Sequence, residues 1–410
     1  MSNPSPKEPR NLNVYLNSTE VGVLTLLPDD RTLFSFAESY IENPSRPILS
    51  LWFKTPLGQL KTGEKVRSQA KLPPFFSNLL PEGHLREYLS KKLGVKPERE
   101  FFLISALGKD LPGATRIEGP PQPQDDGVAD DTSGNKADKT ILRFSLAGVQ
   151  LKFSALLEAS GSLTIPAGGT GGSWIVKLPT NTFPRVPEAE YSMLKLAEHT
   201  GIEVPEFKLV DTSTIQNLPK GIPPSFGQSL AVKRFDRLPN GQRVHMEDFA
   251  QIFGLYAKDK YENASFARIA FVLLSETSEK DYVEFIRRLV FCLVIGNGDM
   301  HLKNWSLLYD DPTHPRLSPA YDLVPSVIYL PNDDLGLRLG GSRSFKAIDH
   351  QRFSTLASTA RASEHLTLQV VRETTHQILD VWNKNKDSLP LPEDIRSGLD
   401  EHMKNLRIVP

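Results

Sequence analysis

Three oxygen-bearing side chains stand close together in the second half of this 410-residue chain. Asp299 and Asn304 lie five positions apart in Ile295-Gly296-Asn297-Gly298-Asp299-Met300-His301-Leu302-Lys303-Asn304, directly after an apolar run that reads as a buried helix. Asp322 follows eighteen residues beyond Asn304, within Ser318-Pro319-Ala320-Tyr321-Asp322-Leu323. Phosphoryl transfer needs such hard oxygen donors: one carboxylate takes the nucleophile's proton, while an amide and a second carboxylate hold Mg²⁺ against nucleotide phosphates.

The spacing Asp-x4-Asn matches the catalytic loop of protein kinases. An Asp with an Asn five later arises about once by chance in a chain of this length, so the ordered company of Asp322 matters. Upstream, Ser145-Leu146-Ala147-Gly148-Val149-Gln150-Leu151-Lys152 sits at a strand turn whose backbone N–H groups can approach phosphate oxygens, although it lacks the Walker consensus. Lys177, in the strand Trp174 to Leu178, projects a compact positive charge toward the same place. Glu190 shares a helix face with Leu194 and Ala197, where it either steadies Lys177 or answers helix-start electrostatics. Each residue also has a plain structural reading: Asp299 and Asn304 as caps, His301 as a loop histidine, Ser145 as a strand-end serine. Ala167 to Ser173 reads as a hairpin tip, and Lys91, Lys92, Lys96 and Arg99 as a solvated face.

The elements that must position these groups follow from periodicity. Leu12, Val14 and Leu16, then Val21, Val23, Leu24 and Leu26, alternate as an opening β-hairpin around Asn17 and Ser18. Helical spacing over 79–89 and an apolar stretch over 101–106, stopped at Leu111-Pro112-Gly113, complete an N-terminal α+β unit over 1–115. Residues 116–140 hold prolines and aspartates with almost no large apolar side chain, which predicts a flexible acidic linker. Strands at 143–157, 174–178 and 230–235, with a helix started by Pro187 and ended by Gly201, predict a β-rich lobe over 141–240. Helical patterns dominate 241–410, interrupted only by a loop-like stretch from Gly296 to Leu330 where chemistry should sit.

Composition narrows the classes. The formal charge is −1, which gives no global pull toward nucleic acid or anionic lipid. Cys292 is the only cysteine, excluding an intrachain disulfide and any zinc site of two or more thiolates. A reducing cytoplasm suits it. No apolar run approaches the ~20 residues of a membrane span, and Met1 to Arg10 lacks the apolar core of a secretory signal.

Seven motifs stand in order along nearly the whole chain: Phe144 to Lys152, Trp174 to Pro179, Glu190-Tyr191-Ser192, Ala231 to Arg237, Glu247-Asp248, Gly296 to Ser306, and Tyr321-Asp322. Together they resemble the HipA family of bacterial serine/threonine kinase toxins. The resemblance implies an α+β, two-lobed protein-kinase-like fold with an extra N-terminal domain, using ATP and Mg²⁺. Asp299 would be the catalytic base, with Asn304 and Asp322 as metal ligands. Ala147, Gly148, Val149, Gln150, Leu151, Lys152 and Lys177 would hold the phosphates. Backbone groups of Lys233, Arg234 and Phe235 would meet the adenine, and His301, Lys303, Asn304, Tyr321 and Asp322 would line the remaining pocket. Ser145 matches the autophosphorylated serine, whose added charge beside the ATP loop should switch the enzyme off. Implied partners are a HipB-like helix-turn-helix antitoxin, operator DNA mainly through that antitoxin, and a protein substrate such as an aminoacyl-tRNA synthetase. The sequence departs from the common pattern at Leu151, often acidic, and at Lys233, often Glu. Two other readings compete: a small-molecule kinase like the aminoglycoside phosphotransferases, and a non-catalytic antitoxin and DNA assembly protein.

Overall fold

A computed structural model describes residues 11–27, 30–62, 66–69, 71–119, 152–158, 162–166, 171–180, 182–218, 227–262 and 264–409. Ser145, Ala147 to Leu151 and most of the expected linker lie outside the described residues.

Alternation folds Asn11–Leu16 (β1) onto Thr19–Leu26 (β2) through Asn17, whose φ of 53° makes the tight turn. Arg31–Phe36 (β3) and Val66–Gln69 (β4) extend one edge, and Thr115–Glu118 (β5) closes the other, giving the antiparallel order β4-β3-β2-β1-β5. The first unit therefore runs to Glu118, past the boundary expected at residue 115. Helices Glu38–Glu42 (α1), Pro74–Ser77 (α2), Gly83–Leu93 (α3) and Glu100–Leu107 (α4) complete it.

A second antiparallel sheet contains Lys152–Leu157 (β6), Leu163–Thr164 (β7), Trp174–Lys177 (β8), Phe207–Asp211 (β9) and Gln228–Lys233 (β10), ordered β7-β6-β8-β10-β9. Register sets Lys152 directly opposite Lys177. Helix Val186–His199 (α5) begins with Pro187 in its first turn, buries Ala189, Met193 and Leu196, and is followed by Gly201 at φ 70°.

Below it, His245–Asp248 (β11), Ser306–Tyr309 (β12) and Arg316–Leu317 (β13) form a three-stranded sheet among helices. These are Phe249–Ile252 (α6), Phe266–Glu276 (α7), Glu279–Val294 (α8), Ser326–Tyr329 (α9), His350–Ala360 (α10), Glu364–Asn385 (α11) and Glu393–Lys404 (α12). Side chains of Ser265, Ser278, Asp349 and Ser363 cap four of them at the N-terminus. The stretch expected to be loop-like carries β12 and β13, because all four β12 positions are buried and no alternation marks it.

Two apolar clusters fill the molecule. One spans the first unit and the upper sheet, from Leu12 and Phe75 to Phe153, Trp174 and Ala231. The other joins α5 and the underside of β10 to the helical part. This is the expected β-rich lobe over a helical lobe with an added N-terminal unit. Among the described residues no helix is long and apolar enough to cross a membrane.

Candidate active site

Helix α8 runs into Gly296, at φ 70°, where a Cβ would stand 2.2 Å from Val327 Cγ2. That turn delivers Asn297, only 2% exposed, which ties two candidate residues together. Its Oδ1 accepts the Asp299 N–H at 3.1 Å and its Nδ2 donates to the Asp322 carbonyl at 3.2 Å. Asp322 needs that hold, since its φ of 54° is left-handed for a residue with a side chain. Such a conformation costs on the order of 1–3 kcal/mol and clusters at functional sites.

Two ammonium groups from the upper lobe converge on Asp322. The buried Lys177 ammonium donates to both Glu190 and Asp322. Lys152, its neighbour across the sheet, donates to the two Asp322 oxygens at 3.0 and 3.3 Å. Burial opposes charge on Lys177, but Asp322 and Glu190 outweigh it and hold the ammonium pKa above its ordinary value. Burial likewise opposes charge on Asp322, yet Lys152 and Lys177 hold that carboxyl well below the usual range. Burial raises Glu190. Of the two readings left open for Glu190, the structure selects pairing with Lys177.

Asp299 sits at the cleft mouth with its side chain 53% exposed, accepting the Tyr261 hydroxyl at 2.5 Å. Desolvation by its surroundings raises its pKa, and the Tyr261 bond works against that. Asn304 donates through Nδ2 to the Asp299 carbonyl at 2.8 Å, which leaves its Oδ1 as the lone-pair end. His301 is buried with Nε2 3.9 Å from Asp299, and burial, Lys260 and Lys303 keep it neutral. Tyr321 donates to the Lys303 carbonyl at 2.9 Å and lies against Phe235, ring centroids 5.8 Å apart. Lys303 differs from expectation in one respect. Its ammonium turns to Asn78 and Asp248 and is fully occupied by protein acceptors.

At the hinge, the Lys233 N–H donates to Glu206 O at 2.7 Å and the Arg234 N–H to Ser173 O at 2.8 Å. The Lys233 side chain is exposed beside Glu206. The buried Arg234 and Arg237 grip Asp236, and Arg237 reaches Asp110 at 2.9 Å, knotting the hinge to the first unit. Lys152, Lys177, Phe235, Asp299, Asn304 and Asp322 line one cavity of about 1010 Å³. Sequence reasoning missed Asn78, Glu82 and Tyr261 on its walls, because each meets the catalytic segment only through contacts distant in the chain.

The sequence profile of the HipA N-terminal domain matches residues 12–118, and that of the HipA-like C-terminal domain matches residues 144–382. The chain belongs to the HipA family. It is 47% identical over 401 residues to the protein named "Putative kinase Y4dM" in Sinorhizobium fredii, covering 97% of each chain. It is 27% identical over 358 residues to the serine/threonine-protein kinase toxin HipA of Shewanella oneidensis, covering 78% of this chain and 76% of that one. The HipA chain solved with HipB and operator DNA from Shewanella oneidensis superposes with a TM-score of 0.72 at 22% identity, over 97% of this chain and 96% of that one. That likeness carries the kinase-like HipA fold.

Proposed function

We propose that this HipA-family kinase transfers the γ-phosphoryl group of ATP, with Mg²⁺, to serine or threonine hydroxyls of a protein. It acts as the toxin of a toxin–antitoxin pair whose partner is a HipB-like helix-turn-helix antitoxin, with operator DNA engaged mainly through that antitoxin. A translation component such as an aminoacyl-tRNA synthetase is the substrate class the family likeness favours. The observation carrying the reading is the convergence of Lys177 and Lys152 from the upper sheet on Asp322, in one cleft with Asp299 and Asn304.

In this reading Asp299 accepts the proton of the attacking hydroxyl as its oxygen bonds to the γ-phosphorus and the bond to ADP breaks. Lys177, steadied by Glu190, holds the phosphates with Lys152 and the Ala147 to Leu151 backbone. Of the three hinge amides, Phe235 N–H has no acceptor among the described residues and is the donor for the adenine edge. Asp322 and the Asn304 Oδ1 are hard oxygen donors suited to Mg²⁺, which when bound neutralises phosphate charge. Asp322 and Asn304 would supply part of the shell of such an ion, which would leave room for phosphate oxygens and water. Ser145 is the proposed autophosphorylation site, where a phosphate would repel the incoming triphosphate.

The test is incubation of the purified chain with radiolabelled ATP and Mg²⁺, with phosphate sites mapped by mass spectrometry. Wild type should label itself at Ser145, whereas Asp299→Ala and Asp322→Ala, folded by circular dichroism, should not. Retained transfer in either variant removes its assigned role.

A further inference from the structure

Lys303 stands one residue before Asn304 in a single 3-10 turn, Leu302–Asn304, and its side chain is 4% exposed. An ammonium has three N–H donors, and here each finds a protein acceptor: Asn78 O and Asn78 Oδ1, both at 3.1 Å, and Asp248 Oδ2 at 2.7 Å. Two of the three come from a single residue of the first unit. Asn78 is itself fixed, 2% exposed, with Nδ2 donating to Pro74 O and to Leu255 O at 2.8 Å. Asp248 is held as the cap of α6, whose Gln251 reaches back to Phe75 O at 3.0 Å. A second strut runs parallel. The Leu302 N–H donates to Lys260 O at 3.2 Å, and Lys260 Nζ pairs with Glu82 of the first unit at 3.2 Å.

We propose that Asn78 is a positioning residue of the catalytic centre, so that the first unit builds the kinase site as well as flanking it. The inference rests on reading Asp299 to Asn304 as the catalytic loop. A tripod of bonds to a buried ammonium fixes that side chain in direction as well as distance, and through it the adjoining Asn304. Asn304 in turn holds the Asp299 carbonyl. Release of the tripod lets the loop drift without touching the nucleotide. A displacement near 1 Å at reacting groups costs on the order of 10²-fold in rate.

The experiment compares Asn78→Leu with Asn78→Asp in the full-length chain. Both lose the Nδ2 bonds to Pro74 and Leu255, but only Asn78→Asp keeps the side-chain acceptor for Lys303. Turnover is read as ADP release from ATP and Mg²⁺, and affinity with a fluorescent ATP analogue. Asn78→Leu should lower kcat about 10- to 100-fold with analogue affinity within about 2-fold, and Asn78→Asp should restore most of the rate. Equal rates in the two variants mean a purely structural role and overturn the proposal. If Asn78→Leu does not fold, Lys303→Arg carries the test, since a planar guanidinium cannot present the same tripod. A kcat loss at unchanged affinity supports positioning, whereas an affinity loss at unchanged kcat places Lys303 on the phosphates and overturns it. Asp299→Ala separates the two levels. A dead Asp299→Ala beside a fully active Asn78→Leu sinks only this inference, and an active Asp299→Ala sinks the kinase reading beneath it.

Discussion

Lys177 carries its charge almost wholly enclosed by protein, with Glu190 on α5 and Asp322 beyond β13 as counter-ions. Replacing it by Met would strand Glu190, 1% exposed, without a cation. Breaking a buried pair from one side costs about 3–5 kcal/mol, whereas replacing both partners by apolar groups is often neutral. Lys177→Met should therefore lower urea stability by about that amount and abolish phosphoryl transfer, while Lys177→Met with Glu190→Leu should recover most of the stability and none of the activity. A single variant as stable as wild type would show that the pair contributes nothing net to the fold. The structure gathers Lys177, Asp299, Asn304 and Asp322 in one cleft, and these four could be picked out in the sequence because each sits in a short stretch whose neighbours declare strand or loop. Tyr261 and Asn78 were not. The bond from Tyr261 to Asp299 spans 38 residues and that from Lys303 to Asn78 spans 225, so no local spacing records either.

Strand β11 shows how an element joins units and what that does to stability. Its Glu247 is fully buried and accepts from Ser50 Oγ and Tyr309 OH at 2.5 Å and from Leu51 N at 3.0 Å, while His245 Nε2 meets Leu49 O at 2.8 Å. Burial pushes the Glu247 carboxyl up to about 7 and the His245 imidazole down to about 4. The two slopes oppose. Between its unfolded value near 4.5 and 7, Glu247 binds more proton folded than unfolded, so its contribution falls as pH rises; between 4 and 6.5, His245 does the reverse. Each amounts to about 3 kcal/mol, so the pair nearly cancels below pH 6.5. Glu247→Gln keeps a carbonyl oxygen for the Leu51 N–H and the Tyr309 hydroxyl, which share Oε1, turns an NH₂ donor toward the Ser50 hydroxyl, and cannot titrate. The variant's stability relative to wild type, measured in urea at pH 5 and pH 8, should improve by about 3 kcal/mol toward the higher pH. No change in that difference would mean Glu247 ionises normally inside the fold. Elements with clean periodicity, such as α8 or the β1–β2 hairpin, were readable from sequence. β12 was not, because a strand buried on both faces has no alternation to read.

At the scale of the whole molecule, the first unit and the upper sheet share one apolar cluster, while the helical part belongs to another. An ionic knot reinforces that sharing: Arg237 donates to Gly113 O at 2.9 Å, Leu111 O at 2.8 Å, Asp110 at 2.9 Å and Asp236 at 2.8 Å, and Asp236 accepts the Gly113 N–H at 2.8 Å. Sequence periodicity marks the two units as separate stretches of chain, but a core common to both makes their opening one event. Native-state hydrogen exchange reports such cooperative units as amides that open with equal free energy. Val14 and Ile117 in the first sheet should therefore exchange with the same opening energy as Val176 and Ala231 in the second. Arg237→Met, which leaves Asp110 and Asp236 short of a buried cation, should lower all four together by about 3–5 kcal/mol. Amides of α8 and α11 should be unmoved up to that limit, since the knot touches neither helix. Loss of protection confined to the first sheet would mean that it opens alone, and that the hinge between Lys233 and Phe235 keeps its shape without it.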